Sequence, residues 1–375
     1  MKVAIIHDYI KEYGGAERVL EALCEIYPDA PIYTAFCDKS STAYNHFKNK
    51  KIITSWYQNI PYAAKLASPL RFLTPLIWGS FDLSKYDLVI SSASWYITKG
   101  FKKKNDKFIE ICYCHTPPRW LYGYTTSVNF QKYFLVRIYA AIVGLFLRKY
   151  DFKRAQKVDF FVANSKEVQG RIKKFYKRDS TVIYPPVLLN KTLNKEVIKK
   201  KDYYFIVSRI VGAKGLDLAI EAALKGNLEL RIAGSPAGYY FEYEKLIKKS
   251  KGKVEFLGQV SDEELAKLYK EAKVFLALAK DEDFGITPVE AMSFGTPVIA
   301  FNGGGYKETV IDKKTGILFN DYSVDGILSA TKELDKLLEQ NGEKIKENCI
   351  EQGASFSKER FIREIKDFVN SKVSK

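Results

Sequence analysis

The sequence predicts an α/β protein made of two successive doubly wound domains, each with a parallel sheet. Three observations carry that expectation. Short, continuous apolar runs alternate with stretches of helical spacing. A polar, Lys-rich stretch interrupts this alternation near the middle of the chain. The charge balance changes at the same place. Continuous apolar runs mark strands buried on both faces, which parallel sheets achieve by covering each face with helices. The 375 residues are 46% hydrophobic and include 24 Phe and 25 Tyr, enough to fill two cores and to exclude wholesale disorder.

The elements follow in order. The apolar run at residues 3–7 enters a turn containing Gly14 and Gly15. Residues 16–26 then place Val19, Leu20, Leu23 and Ile26 at helical spacing. Strand-like runs return at 87–92 and 108–114. Tyr184-Pro185-Pro186 ends the first domain, and residues 190–202 form the polar divider. In the second domain, strands are expected at 203–209, 228–233, 254–257, 274–279 and 297–301. Helices are expected at 216–224, 262–272 and 288–294. Residues 356–375 read as a terminal amphipathic helix. The expected organisation is therefore 1–188, 189–355, and a final helix at 356–375 packing back on the first domain. No internal repeat is evident.

The net charge of +16 is divided unevenly: +17 in residues 1–200 and −1 in residues 201–375. Such asymmetry points to an anionic partner for the first half. No zinc-finger, RNP-type or helix-turn-helix pattern supports nucleic acid as that partner. Five cysteines (Cys24, Cys37, Cys112, Cys114 and Cys349) without repeated CxxC pairs exclude a disulfide framework or zinc ribbon and suit a reducing cytoplasm. The N-terminal apolar stretch is too short for a signal peptide. The longest apolar stretch, 138–147, is about half of the ~20 residues that a spanning helix needs. The chain is expected to lie on a membrane, not to cross one.

Residues 282–292, Glu282-Asp283-Phe284-Gly285-Ile286-Thr287-Pro288-Val289-Glu290-Ala291-Met292, carry the densest chemistry. Two carboxylates lie eight positions apart around a glycine and a helix start. Thr287 as N-cap, Pro288 at N1 and Glu290 at N3 make a capping box, so Glu290 has a structural reading as well as a functional one. Glu282 precedes the cap and has only the functional one. The amides of Gly285, Ile286 and Thr287 would form an anion site. Arg209 at a strand end and Lys214 in the next loop are either two solvated charges or a clamp for a diphosphate. Gly14 and Gly15 let backbone approach phosphate oxygens at a helix N-terminus, although no GxGxxG or P-loop is present. His115 follows a strand, where it could orient a substrate hydroxyl. His7 and His46 read as structural. Asn302-Gly303-Gly304-Gly305-Tyr306-Lys307-Glu308 is a second glycine-rich turn, either lining the same crevice or simply turning the chain. No His, Asp or Glu spacing suggests a metal site.

In this order, over nearly the whole chain, these segments resemble the retaining glycosyltransferases of family 4, which have the GT-B fold of two Rossmann-like domains facing a cleft. "CHTPPRW" at 114–120 and "VIYPPV" at 182–187 are similar to a subgroup of bacterial mannosyltransferases that build O-antigens and other surface polysaccharides. The resemblance implies that Glu282 binds the donor sugar's hydroxyls and Glu290 the ribose. Arg209 and Lys214 would hold the diphosphate, and Gly15 would offer its amide to it. Phe284, Gly285, Ile286 and Thr287 would give amides to the sugar and phosphate. Gln259 and Val260 would meet the base, and His115 the sugar near the reacting carbon. Asp283 stands where the family often has Pro or Gly.

The resemblance further implies a hexosyl transfer without metal or cofactor. The nucleotide-sugar donor would be GDP-mannose, with a UDP-sugar as the alternative, and the acceptor a lipid-linked glycan. Basic residues interleaved with apolar ones then suggest where the first domain meets an anionic membrane surface at the cytoplasmic leaflet: Lys65, Arg71, Phe72, Trp78, Lys102, Lys103 and Lys104.

Overall fold

In the computed structural model, residues 1–101, 108–126, 134–187, 199–236 and 240–373 are described. The chain divides into two compact units. The first comprises Met1–Tyr124, Phe130–Pro186 and Lys358–Lys375; the second is essentially Val187–Ser357, joined by a short stretch at 125–129.

The sheet of the first unit uses β1 (Val3–His7), β2 (Ile32–Thr34), β3 (Ile52–Thr54), β4 (Leu88–Ala93), β5 (Ile109–Cys114), β6 (Phe160–Ala163) and β7 (Ser180–Val182). All pairs are parallel, in the order β3-β2-β1-β4-β5-β6-β7. β1 and β4 are buried almost throughout, as a strand covered on both faces must be. The Lys358–Val373 helix belongs to this unit. Phe361, Ile365 and Val369, four residues apart, enter the core shared with the Gly15–Ile26 helix, and Lys358 pairs with Glu25 at 2.8 Å.

The longest helix of this unit among the described residues, Phe134–Ala155, packs its inner face through Gly144, Leu147, Asp151 and Ala155. Asp151 is fully buried. It pairs with the equally buried Lys99 and accepts a 2.7 Å hydrogen bond from Tyr122. Leaving either charge of such a pair alone costs about 3–5 kcal/mol, so the pair fixes which side of the helix faces inward.

The second unit's sheet uses β8 (Lys201–Val207), β9 (Leu230–Ala233), β10 (Val254–Gly258), β11 (Ala272–Ala277), β12 (Val298–Phe301) and β13 (Gly316–Phe319), also wholly parallel, in the order β10-β9-β8-β11-β12-β13. β8 and β11 begin two residues earlier than the apolar runs suggest, because paired backbone extends past the buried side chains.

After β11 and β12 two turns meet backbone to backbone. The Gly305 amide donates to the Glu282 carbonyl at 2.8 Å. A Cβ on Gly304 would lie 2.3 Å from that carbonyl oxygen, and one on Gly305 2.4 Å from Phe284 Cα. No side chain fits here, and neither neighbour is a flexible side chain that could yield. Gly305→Ala should therefore destabilise the chain by about 1–3 kcal/mol, read as a shift in the urea midpoint at unchanged slope. Gly79→Ala, where a Cβ meets nothing within 4 Å, is the control. Equal midpoints for the two variants would contradict the contact.

Candidate functional site

In the second unit, the candidate residues follow the carboxyl ends of strands of one parallel sheet, the edge at which such sheets bind ligands. Arg209 lies two residues past β8 and is exposed. Gln259 and Val260 directly follow β10, and the Glu282 turn follows β11. Between Arg209 and the next helix, a tight turn at Gly212–Lys214 ends on Gly215, whose φ of +72° is the left-handed region. A Cβ there would lie 2.7 Å from the Leu278 carbonyl oxygen, so glycine lets this turn press against the end of β11.

That close approach brings Lys214 to Glu282. Its ammonium pairs with Glu282 Oε2 at 2.7 Å, with both side chains only partly exposed. The Tyr306 hydroxyl lies 3.4 Å from the same oxygen. Tyr306 is buried, and burial followed by the Glu282 charge pushes its own hydroxyl well above the usual range, so it stays a neutral donor. Two segments read separately in the sequence, the Lys214 loop and the triple-glycine turn, thus converge on one carboxylate.

The capping-box reading is corrected. The helix spans Ile286–Ser293, with left-handed Gly285 (φ +90°) as its N-cap and no side-chain cap. Glycine turns the chain into the helix early, so Thr287 is already the second helical residue and Glu290 the fifth, too far in to cap. Glu290 is buried and accepts a 2.8 Å hydrogen bond from Tyr269. Phe284 is buried against Phe356, ring centroids 5.3 Å apart, which leaves the site its backbone and not its ring.

In the first unit, β1 leads into the turn at Gly14 and Gly15, and the helix Gly15–Ile26 starts there. The Gly14 amide donates to Glu17 Oε2 at 3.0 Å. His115, just past β5, is buried, and its Nε2 lies 2.9 Å from Ser92 Oγ. Burial, then the neighbouring His7, holds the imidazole down to about 3, so it is neutral at physiological pH. His7, read from sequence as merely structural, lies 3.0 Å from the same hydroxyl through Nδ1. His46 stacks on Tyr13 away from this group, ring centroids 3.7 Å apart.

Asp8 was not singled out in the sequence. Its buried carboxylate accepts from Ser94 Oγ at 2.7 Å and from the amides of Ser94, Trp95 and Tyr96, tying down the loop after β4. The sequence signal was an acid directly at a strand end. Glu17 carried another signal, an acid three residues after the first glycine of a turn.

The expected membrane residues separate. Trp78 is corrected: it is buried and donates its indole N–H to the Tyr96 carbonyl at 2.7 Å, because the short helix Thr74–Gly79 turns this side chain into the core. Arg71 is corrected too. Its guanidinium lies between the Trp95 and Trp120 rings, 4.6 and 4.3 Å from their centroids, and donates to Ser68. Lys65 and Phe72 are exposed. Lys102, Lys103 and Lys104 lie outside the described residues.

Residues 190–356 match the family described as Glycosyl transferases group 1. An uncharacterized glycosyltransferase of Methanocaldococcus jannaschii is 28% identical over 222 residues, spanning 58% of this chain and 59% of that protein. The alpha-1,3/1,6-mannosyltransferase ALG2 of Candida glabrata is 26% identical over 416 aligned positions, covering 93% of this chain and 88% of ALG2. Among solved structures, HepE of Anabaena in complex with UDP and glucose superposes with a TM-score of 0.71 at 17% identity, covering 99% of this chain and 100% of that one. Sucrose-phosphate synthase of Thermosynechococcus elongatus does so with a TM-score of 0.72 at 17% identity, over 100% of both chains. The chain is a glycosyltransferase of the GT-B fold, and over residues 190–356 it is similar to the group 1 glycosyl transferases.

Proposed function

We propose that the chain is a retaining α-mannosyltransferase of family 4 that moves mannose from GDP-mannose to a lipid-linked glycan during synthesis of a cell-envelope polysaccharide such as O-antigen. The observation that carries the donor site is the Lys214–Glu282 pair at the carboxyl edge of the second sheet. The mannosyl assignment is supported by the printed activity of the ALG2 relative and by the subgroup resemblance of "CHTPPRW" and "VIYPPV". The UDP liganded to HepE favours a UDP-sugar as the second reading.

In this mechanism the bond from the anomeric carbon to the β-phosphate oxygen breaks. The acceptor hydroxyl oxygen bonds to that carbon from the same face, and its proton passes to the departing phosphate oxygen. Charge grows on the diphosphate, so fixed cations stabilise the transition state more than the ground state. Arg209 supplies one cation. Lys214 supplies the other: its ammonium has three protons, and Glu282 takes one. Glu282, oriented by Lys214 and Tyr306, accepts from sugar hydroxyls, and the amides of residues 284–287 face sugar and phosphate at the helix start. Glu290, positioned by Tyr269, takes the ribose hydroxyls, and backbone at Gln259 and Val260 the base. In the first unit, the Gly15 amide serves the phosphates and His115 a sugar hydroxyl. The reaction draws on no metal or cofactor.

The lipid-linked acceptor and a location at the cytoplasmic face of the cell membrane are supported by the outer side of the Phe134–Ala155 helix. Leu135 is 77% and Ile142 66% exposed, with Phe134, Ile138, Leu145 and Phe146 exposed around them. No helix among the described residues is long and apolar enough to cross a membrane. Arg137, Arg148, Lys149 and Lys153 are exposed on this helix, whereas its one acid, Asp151, is buried. Tyr139 donates to the Pro69 carbonyl, which sets the exposed Tyr62, Leu66, Phe72 and Leu76 in the neighbouring segment. Cations beside an apolar stripe suit an anionic bilayer, with the helix lying in its interface.

Two tests follow. In a thermal-shift panel, GDP should raise the melting temperature more than UDP or ADP. Glu282→Ala should keep that shift while transfer falls about 100-fold or more. A larger shift with UDP would move the reading to a UDP-sugar, and no shift with any nucleotide would remove it. In flotation, the chain should rise with anionic and not with neutral liposomes, and Leu135→Glu with Ile142→Glu should abolish this. Equal recovery with both liposomes would refute the membrane face.

A further inference from the structure

Four buried side chains of the first unit form a single hydrogen-bonded line. His7 ends β1, Ser92 is its register partner on β4, and His115 follows β5 on the far side of Ser92. Glu17 reaches in from the first turn of the Gly15–Ile26 helix. The contacts run from Gly14 N to Glu17 Oε2 at 3.0 Å, Glu17 Oε1 to His7 Nε2 at 3.3 Å, His7 Nδ1 to Ser92 Oγ at 3.0 Å, and Ser92 Oγ to His115 Nε2 at 2.9 Å. All four side chains are buried, so bulk water does not compete for these bonds.

With one proton on each imidazole, proton counting along this line leaves one arrangement. A carboxylate only accepts. Glu17 takes the Gly14 amide on one oxygen, so it takes a proton from His7 Nε2 on the other. With its proton on Nε2, His7 has a bare Nδ1, to which Ser92 donates. A serine hydroxyl has one proton. With that proton directed at His7, Ser92 Oγ can only accept from His115, whose proton is therefore on Nε2. His115 is neutral, as its burial requires, so its Nδ1 keeps a lone pair.

We propose that Glu17, His7 and Ser92 are positioning residues that fix His115 as the Nε2–H tautomer, making its Nδ1 a hydrogen-bond acceptor for a substrate hydroxyl. That the hydroxyl belongs to a donor sugar rests on the function proposed above; the tautomer does not. The same Glu17 carboxylate holds the Gly14 amide, so one group sets both the glycine turn and, three hydrogen bonds away, the polarity of His115. A hydroxyl can donate to Nδ1 only in this polarity. The opposite tautomer presents N–H, and a hydroxyl oriented to donate would meet a second donor.

The relay makes an unusual demand on one substitution. In Glu17→Gln the side-chain carbonyl must still serve the Gly14 amide, which turns the NH2 group toward His7 Nε2. His7 then carries its proton on Nδ1 and donates to Ser92, Ser92 donates to His115 Nε2, and the His115 proton moves to Nδ1. Every bond from residue 17 to His115 reverses, while the Gly14 bond keeps its direction. The test is long-range proton–nitrogen NMR of the full chain labelled with 15N-histidine, with the signals of its three histidines assigned by substitution. The unaltered chain should show His115 protonated at Nε2 and bare at Nδ1; Glu17→Gln should exchange the two. Adding Ser92→Ala to Glu17→Gln should cut the line and abolish the exchange, and Ser92→Ala alone should leave His115 averaged between tautomers. Should Glu17→Gln not fold, the unaltered chain and Ser92→Ala decide. In turnover, Glu17→Gln should lower kcat about 10- to 100-fold, the effect of one mispaired buried hydroxyl, with the nucleotide Kd unchanged. A native His115 protonated at Nδ1, or a His115 spectrum indifferent to Glu17→Gln and Ser92→Ala, would overturn the proposal. Because the spectra need no substrate, they stand or fall apart from the mannosyl assignment.

Discussion

The placement of Glu282 depends on backbone approaching backbone more closely than any side chain permits. Gly304 and Gly305 press on the main chain of residues 282–284, and Gly215 presses on the end of β11. These contacts hold the carboxylate where Lys214 and Tyr306 both reach it. Gly285 then takes a positive φ and starts the next helix at once, which leaves its first amides open and sends Glu290 inward to Tyr269. Glycine's missing Cβ, supplied at four positions in three turns, thus fixes the Glu282 carboxylate more firmly than any single polar contact does.

The two units solve the same problem in different materials. Each has a wholly parallel sheet, and each delivers its chemistry past strand ends. The second unit holds its key carboxylate with an ion pair and a tyrosine. The first holds its histidine with a line of buried hydrogen bonds anchored on one carboxylate, and clamps the loop after β4 on Asp8. The division of charge parallels this. The near-neutral half carries the residues proposed for the nucleotide sugar. In the basic half, the buried Lys99–Asp151 pair fixes which way a long helix turns, leaving its apolar stripe and cations outward.

The fold was legible wherever strands are long and buried on both faces. β1, β4, β8, β11 and β12 stand out as largely apolar runs, and β5 and β9 do so despite Glu110 and Arg231. β2, β3 and β7 are three residues long, too short to carry a period, and only the sheet reveals them; β6 and β13, four residues long like β9 and β12, also emerge only from the sheet. The site was legible as a set of residues but not as a set of partners. The Thr287–Glu290 spacing fitted a capping box, and only the dihedral of Gly285 shows that the helix starts earlier. Interleaved basic and apolar residues marked Trp78 as a surface contact, yet spacing alone cannot say which side of a short helix faces inward. For the same reason the apolar run at 138–147 could be judged too short to span a membrane, but not seen to face outward. Ser92 and His7 belong to strands 85 residues apart, and no local pattern joins them.

The central claim is transfer of mannose with its configuration kept, by a chain whose donor-side carboxylate is held and never bonded to the sugar. The most direct measurement is NMR of the new linkage after incubation of the chain with GDP-α-mannose and a lipid-diphosphate glycan acceptor, reading the one-bond carbon–hydrogen coupling at the anomeric carbon. The account predicts an α-mannosyl product. A β-linked product, or an α-linked product formed through a mannosyl group covalently trapped on Glu282, would contradict it.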